Sequence, residues 1–186
     1  SALSMKPGAS LTMNVYRGPR GDGRVDIDTI SSEHGIKKID LKGSVNTIRT
    51  CGPLGLLKVT GGSVGEVIVS NGAIGMVVVK NMWDGDAEMF SGAGITRGVY
   101  AEKGIGLVTV FGGSIGESDA PAEIVTKAGS IKSVTTKLMK KKIPFLGSTY
   151  TEVAGEEGAN IHSSVRAPHG SIGAVTACGG AIGTVY

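Results

Sequence analysis

Two neighbouring stretches decide the fold: Gly62–Val69 reads GSVGEVIV, and Gly72–Val79 reads GAIGMVVV. Near the end of each stretch apolar residues recur at every second position, so their side chains share one face of a strand. The glycine that opens each stretch allows the backbone to bend there. A unit this short cannot bury its apolar face alone, so it must stack on further copies of itself.

The same pattern recurs along most of the chain as G-[SA]-[IV]-G-x-[VIL]-x-[VLTA], and successive copies lie nine or ten residues apart. Further copies begin at Gly35, Gly43, Gly52, Gly104, Gly129, Gly170 and Gly180. The 186 residues include 31 glycines without a Gly-X-Y period, which excludes collagen. The apolar content of 40% is too regularly placed for a disordered linker.

The repeat predicts an all-β fold, a right-handed parallel β-helix (a solenoid) built from strand–corner units of nine or ten residues. A coil of about 20 residues from two units is the preferred period, and one of about 30 from three units is the alternative. The predicted hand follows from the strong preference of parallel crossovers for right-handed connections. A β-sandwich or barrel would need Asn-Gly or Asp-Gly at most turns, whereas most units here turn through Gly-Ser-Ile-Gly.

Three interruptions of the repeat divide the predicted solenoid. We assign residues 1–26 to an N-terminal segment or cap and residues 27–186 to the β-helix, with insertions at 80–94, 117–123 and 137–160. Insertions into solenoids form loops, which carry function more often than the coils do. Because the outward positions Ile68 and Val78 are apolar, we expect the first insertion to fold over one of them.

The first insertion also supplies the candidate ligand-binding residues, which are Trp83, Asp84, Asp86 and Glu88. The three acids alternate as D-x-D-x-E, and carboxylate oxygens in such a cluster are suited to calcium. A solvated acidic loop is the alternative for the acids. For Trp83 the alternatives are a buried flank and an aromatic platform for carbohydrate. Apart from calcium we expect no cofactor, and the scattered histidines lack metal-ligand spacing.

The units Gly62–Gly65 (GSVG), Gly113–Gly116 (GSIG) and Gly170–Gly173 (GSIG) resemble the repeats of long bacterial surface and autotransporter-like β-helix proteins. The resemblance covers most of residues 27–186 and concerns architecture. It implies secretion or display at the cell surface, and a structural, adhesive or scaffolding role without catalysis. It transfers no active-site residue to this chain.

Two alternative functions stay open: a carbohydrate-binding or polysaccharide-active β-helix, and a β-helical accessory domain of a larger enzyme. Solvent-facing acids on adjacent coils would favour the carbohydrate function, whereas a flat, uncharged flank would favour the scaffold. No outward strand position supplies an acidic pair two residues apart, except Asp26 with Asp28.

Net charge and hydropathy limit the classes of partner that we expect for this chain. A net charge of +3 is too mild for a nucleic-acid footprint. The longest strictly apolar run, Met76–Val79, is too short to span a membrane. Because Ile182 and Val185 belong to the last coil, we expect a second copy, as a homo-oligomer, or the remainder of a longer polypeptide to stack on it. A polysaccharide is a further candidate partner.

Overall fold

The computed structural model describes residues 2–13, 15, 23–84, 89–90, 92–145, 148–154 and 159–186. Within these ranges the chain is all-β and contains no helix. The strands are β1 (Ala2–Ser4), β2 (Ser10–Met13), β3 (Val25–Ser32), β4 (Ile36–Thr50), β5 (Leu54–Thr60), β6 (Val64–Val69), β7 (Ala73–Lys80), β8 (Trp83–Asp84), β9 (Met89–Phe90), β10 (Gly94–Ala101), β11 (Gly104–Phe111), β12 (Ser114–Ile115), β13 (Ala122–Thr126), β14 (Ile131–Lys137), β15 (Met139–Phe145), β16 (Ser148–Ala154), β17 (Ile161–Arg166), β18 (Ile172–Ala177) and β19 (Ile182–Val185).

Fifteen of these strands pair in parallel, and the chain passes back and forth between two stacks of them. Sheet A contains β1, β3, the second half of β4, β6, β10, β12, β13, β17 and β19. Sheet B contains β2, the first half of β4, β5, β7, β11, β14 and β18. Each turn of the chain therefore crosses each sheet once, and β12 with β13 forms one such crossing in two pieces.

The spacing of paired residues fixes the period of the coil. Ile36 pairs with Leu54 and Leu54 pairs with Ile74, so neighbouring coils are eighteen or twenty residues apart in sequence. This is the two-unit coil, the shorter of the two periods that the repeat allowed. The large parallel sheet is consistent with a β-helix, and it excludes the antiparallel sandwich for the described residues.

The core lies where apolar rows of the two sheets meet. One row of sheet A runs from Ile30 through Ile48, Val67, Val99 and Ile124 to Val165. The inward residues of the two deciding stretches are Val64, Val67, Val69, Ile74, Val77 and Val79, and each is at most 2% exposed within a single core cluster. The repeat therefore predicted the inward face of these strands correctly.

Several corners from sheet B to sheet A share one backbone pattern. Gly61, Gly112 and Gly179 have φ of 78°, 72° and 79°, a left-handed conformation that favours glycine, whereas Gly43 in the corner within β4 has φ of 134°. Hydrogen bonds from Gly61 N to Lys80 O and from Asn81 N to Phe111 O place Asn81 at the corresponding position of the next coil. The bond from Gly112 N to Lys137 O places Leu138 there one coil further on.

Both long insertions leave the coil at these two non-glycine corners. After Asn81 the chain forms the antiparallel hairpin β8–β9, and after Leu138 it forms the antiparallel hairpin β15–β16. Residues 116–121 interrupt sheet A between β12 and β13. At the other end, β1 and β2 pair with β3 and β4, so residues 2–13 already belong to the stacked coils.

Close stacking favours glycine at three successive positions of one column of sheet B, Gly55, Gly75 and Gly106, whereas Lys37 and Lys132 occupy other positions of the same column. A Cβ on Gly75 would lie 2.4 Å from the carbonyl oxygen of Gly55, and one on Gly106 would lie 2.1 Å from that of Gly75. A carbonyl in a paired strand can move away only by distorting the hydrogen bonds of the ladder. These positions are the second glycine of the repeat.

Replacing Val67 with Asp should unfold the coil or cost about 4 kcal/mol or more, because it buries an unpaired carboxylate in the fully buried row. Thr109→Asp is the control, since Thr109 is half-buried on the outward face of β11. Urea unfolding followed by circular dichroism measures both variants. Equal stability of Val67→Asp and the wild type would contradict the assigned register.

Gly106→Ala should destabilise the protein by about 1–3 kcal/mol, because the new methyl group meets a backbone carbonyl. Gly92→Ala is the matched control, since no atom lies within 4 Å of a Cβ built there. Thermal unfolding compares the two. A control variant that lost as much stability as Gly106→Ala would show that the stacking distance is not the cause.

Candidate functional site

The predicted ligand-binding residues fall on the first hairpin. The Trp83 ring packs edge-on against Phe90, with ring centroids 5.3 Å apart and planes at 81°. Trp83 and Asp84 form β8 and pair with Phe90 and Met89 of β9, so the aromatic contact joins the two strands of the hairpin. Asp86 and Glu88 lie outside the described residues. Ligand and calcium binding by Trp83, Asp84, Asp86 and Glu88 therefore stay predictions.

The two apolar outward residues that this insertion was expected to cover lie on different sheets. Ile68 is half-buried in sheet A between Arg49 and Tyr100. Val78 is half-buried in sheet B between Lys58 and Thr109. Cover of either residue by the hairpin stays a prediction.

The described part of the chain offers neither a metal-ligand cluster nor a membrane-spanning helix. No group of three or more His, Cys, Asp or Glu residues in it could hold a metal ion. In the same residues no helix has the length and apolar character needed to cross a bilayer.

The structure brings together a cluster on the outward face of sheet A that the sequence did not reveal. Five successive strands place Arg49, Ile68, Tyr100, Val125 and Arg166 side by side in one row. We call these five residues the Tyr100 strip. The row two residues earlier on the same strands contains Thr47, Glu66, Gly98, Glu123 and Ser164.

Gly98 separates the two acids of the second row and makes room for the tyrosine ring. A Cβ on Gly98 would lie 3.0 Å from Cε2 and Cζ of Tyr100, so the ring lies against this glycine. The Tyr100 hydroxyl donates a hydrogen bond to Glu123 Oε2 at 3.3 Å. The ring thus lies beside Gly98, with its hydroxyl fixed by an acid of the neighbouring coil.

Each acid of this cluster has a cationic partner. Arg166 forms an ion pair with Glu123, and Arg49 Nη2 lies 3.6 Å from Glu66 Oε2. Where β10 turns towards sheet B, Lys127 Nζ lies 3.2 Å from Glu102 Oε1. The surroundings of the Tyr100 strip are therefore rich in charge but locally neutral.

The environment of Tyr100 raises the pKa of its hydroxyl above the usual 10.0. Burial is the main cause, because it disfavours the phenolate. The negative charge of Glu123 and its hydrogen bond act in the same direction, and Glu66 adds to them, whereas Arg166 opposes the shift. Tyr100 is therefore a hydrogen-bond donor throughout the physiological pH range.

A second polar bridge crosses the coils beside the strip. The Arg97 guanidinium donates hydrogen bonds to the backbone oxygen and Oδ1 of Asn46, both at 2.7 Å, and reaches Thr47 Oγ1 at 3.1 Å. A Cβ on Gly65 would lie 2.7 Å from Arg97 Nη2, so this arginine crosses over the glycine. Asn46 in turn donates to Asp28 Oδ1 at 3.0 Å, which lowers the pKa of Asp28.

Sequence reasoning missed this cluster because it searched for acids on one strand. Glu66 and Glu123 belong to strands separated by the β8–β9 hairpin and by the break between β12 and β13. The register also shifts between Ile95 and Gly98. A usable signal existed, since Tyr100 stands between Val99 and Ala101 as the outward residue of its own repeat.

Comparison of the chain with protein-family models, with curated proteins and with solved structures found no match in any of the three.

The raised pKa of Tyr100 predicts a late step in an alkaline titration followed by tyrosinate absorbance. The chain has four tyrosines. Tyr100→Phe should remove a component that ionises above the usual range of a tyrosine hydroxyl. Because the folded-state pKa exceeds the unfolded value, the contribution of Tyr100 to stability is complete below about pH 10. This contribution is lost as the pH rises through the pKa of Tyr100 in the folded protein. In that alkaline range, Tyr100→Phe should therefore lose less stability than the wild type. An unchanged late component would contradict the assignment.

Proposed function

We propose that this chain is a right-handed parallel β-helix and serves as a non-catalytic structural, adhesive or scaffolding part of a secreted or cell-surface protein. The general preference of parallel crossovers supports the hand. The GSIG-type repeats support the surface location through their resemblance to bacterial surface β-helices.

The continuity of the coil past both hairpins carries the scaffold proposal. On either side of the first hairpin, β7 pairs with β11 and β6 pairs with β10. On either side of the second, β14 pairs with β18 and β13 pairs with β17. The core cluster likewise includes residues from β3 through β17. The hairpins are therefore side branches on a continuous support, which is the arrangement that a display scaffold needs.

The outward acids support the non-catalytic part of the proposal. Hydrolysis of a polysaccharide needs one carboxyl that carries a proton and another that is free to act as base or nucleophile. Glu66, Glu102 and Glu123 each form an ion pair with a cationic side chain, so none of these three carboxylates is unengaged on the surface. On sheet B, Asp40 lies 3.1 Å from Lys38 and 3.4 Å from Lys58.

The expected partner at the last coil has a defined surface to cover. Ile182 and Val185 of β19 are 43% and 44% exposed, and the adjoining Tyr186 is 72% exposed. A second copy or further polypeptide of the same protein, stacked on β19, would bury these side chains.

Two deletions test whether the hairpins are side branches. Removing residues 82–92 joins Asn81 to Ala93 and recreates the short corner of Gly61 and Gly62. Removing residues 139–158 joins Leu138 to Ala159 in the same way. Each variant should unfold cooperatively, with a melting temperature within about 5 °C of the wild type. Deleting residues 61–70, one strand–corner unit, is the control and should abolish folding.

Two further measurements separate surface display from catalysis. In producing cells, protease added from outside should remove the protein while a cytoplasmic marker survives. Purified protein should release no reducing ends from polysaccharides. Loss of cooperative folding in the hairpin deletions, or protection from external protease, would contradict the scaffold proposal. Release of reducing ends that Glu123→Gln abolishes would establish an enzyme instead.

A further inference from the structure

A shallow depression lies over the middle of the Tyr100 strip, and Arg49 and Arg166 at its two ends do not line it. The depression of about 230 Å³ lies over Ile68, Tyr100 and Val125, and Ser70, Glu102 and Lys127 form part of its wall. Its polar groups are few and its lining is mainly apolar, a combination found in sites for small organic ligands. Tyr100 contributes both a half-buried ring and a hydroxyl.

The strip continues beyond the depression at both ends, and its direction sets the form of a ligand long enough to follow it. Its five residues lie on five adjacent strands, which are about 4.8 Å apart, so Arg49 and Arg166 are separated by roughly 19 Å. A ligand that follows the strip therefore runs along the axis of the coil, across the strands. It must be elongated, with apolar faces at its middle and hydrogen-bonding groups along its edges.

The charges around the strip determine the polarity of the ligand. Arg49, Glu66, Glu123 and Arg166 form two ion pairs, and Glu102 with Lys127 forms a third. An anion or a cation would have to compete with one of these pairs. An uncharged polyhydroxylated molecule can donate to the carboxylates and accept from the guanidinium groups while the pairs stay intact.

We propose that the Tyr100 strip binds a neutral oligosaccharide lying along the coil axis, with one sugar ring against the side chain of Tyr100. The C–H face of a sugar ring packs on the aromatic and aliphatic side chains of the strip, and its hydroxyl groups reach the flanking ion pairs. This inference goes beyond the scaffold role, because a coil could bind such a ligand whether or not it is displayed on a cell.

Isothermal titration calorimetry and NMR shift mapping on the full chain test the proposal. The probes are neutral hexasaccharides of cellulose, chitin, xylan, mannan and laminarin, with the anionic hexagalacturonate as a charged comparison. At least one neutral probe should bind saturably. Tyr100→Ala should weaken that binding about tenfold or more, and Tyr100→Phe should retain it within about threefold.

Two further variants keep the result interpretable. Thr109→Ala alters the outward face of sheet B and should leave the binding unchanged. Val125→Lys places a charge within the strip, and it should weaken binding if Tyr100→Ala proves too unstable to measure. Thermal unfolding of every variant checks the fold.

The remaining outcomes overturn the proposal. Binding of no neutral probe, or neutral binding that survives both Tyr100→Ala and Val125→Lys, would remove the site from this face. Binding of hexagalacturonate alone would show that the ion pairs open for a charged ligand. None of these results bears on the protease protection and hairpin deletions that test the scaffold role.

Discussion

The stacking of identical positions on successive parallel strands, about 4.8 Å apart, is the constraint on which the rest of the structure depends. Val67 is fully buried because Ile48 lies on one side of it in the row and Val99 on the other. No strand of the coil could bury its apolar residues alone. Burial therefore depends on the register being kept from one coil to the next, and a shift by one residue would turn every inward side chain to solvent.

That constraint explains where the chain tolerates extra residues. Both hairpins leave at the corner between sheet B and sheet A, where added residues shift no strand against its neighbours. The break between β12 and β13 lies within sheet A, and it leaves the pairing intact on both sides. Ile115 still pairs with Ile95, and Ile124 still pairs with Val99. The insertion is accommodated because each short piece keeps the register of the strand below it.

The sequence allowed the inward rows to be predicted because burial depends on a period of two within one strand. It also indicated the period of the coil and the places where the repeat breaks. The outward face was harder to predict, since its chemistry depends on which strands become neighbours after the insertions. Glu66 and Glu123 share a row only because β10, with Gly98, lies between their strands. The hairpin of Trp83 is set by local pairing with Phe90, which the repeat does not describe.

The same stacking that buries the apolar rows also pairs the charges on the outside. Arg49 and Glu66 lie on adjacent strands, and the glutamate is two positions before the residue that pairs with the arginine. Glu123 and Arg166 have the same offset, but here the acid lies on the earlier strand and the arginine on the later one. Between these pairs, Gly98 takes the place that another acid could occupy and gives room to the ring of Tyr100. An acid at that position would have added an unmatched negative charge next to Glu66 and Glu123. With Gly98 at that position, the outward face of sheet A changes from paired charges to an apolar and aromatic surface over a single coil. This change makes the Tyr100 strip suited to the uncharged ligand that we propose.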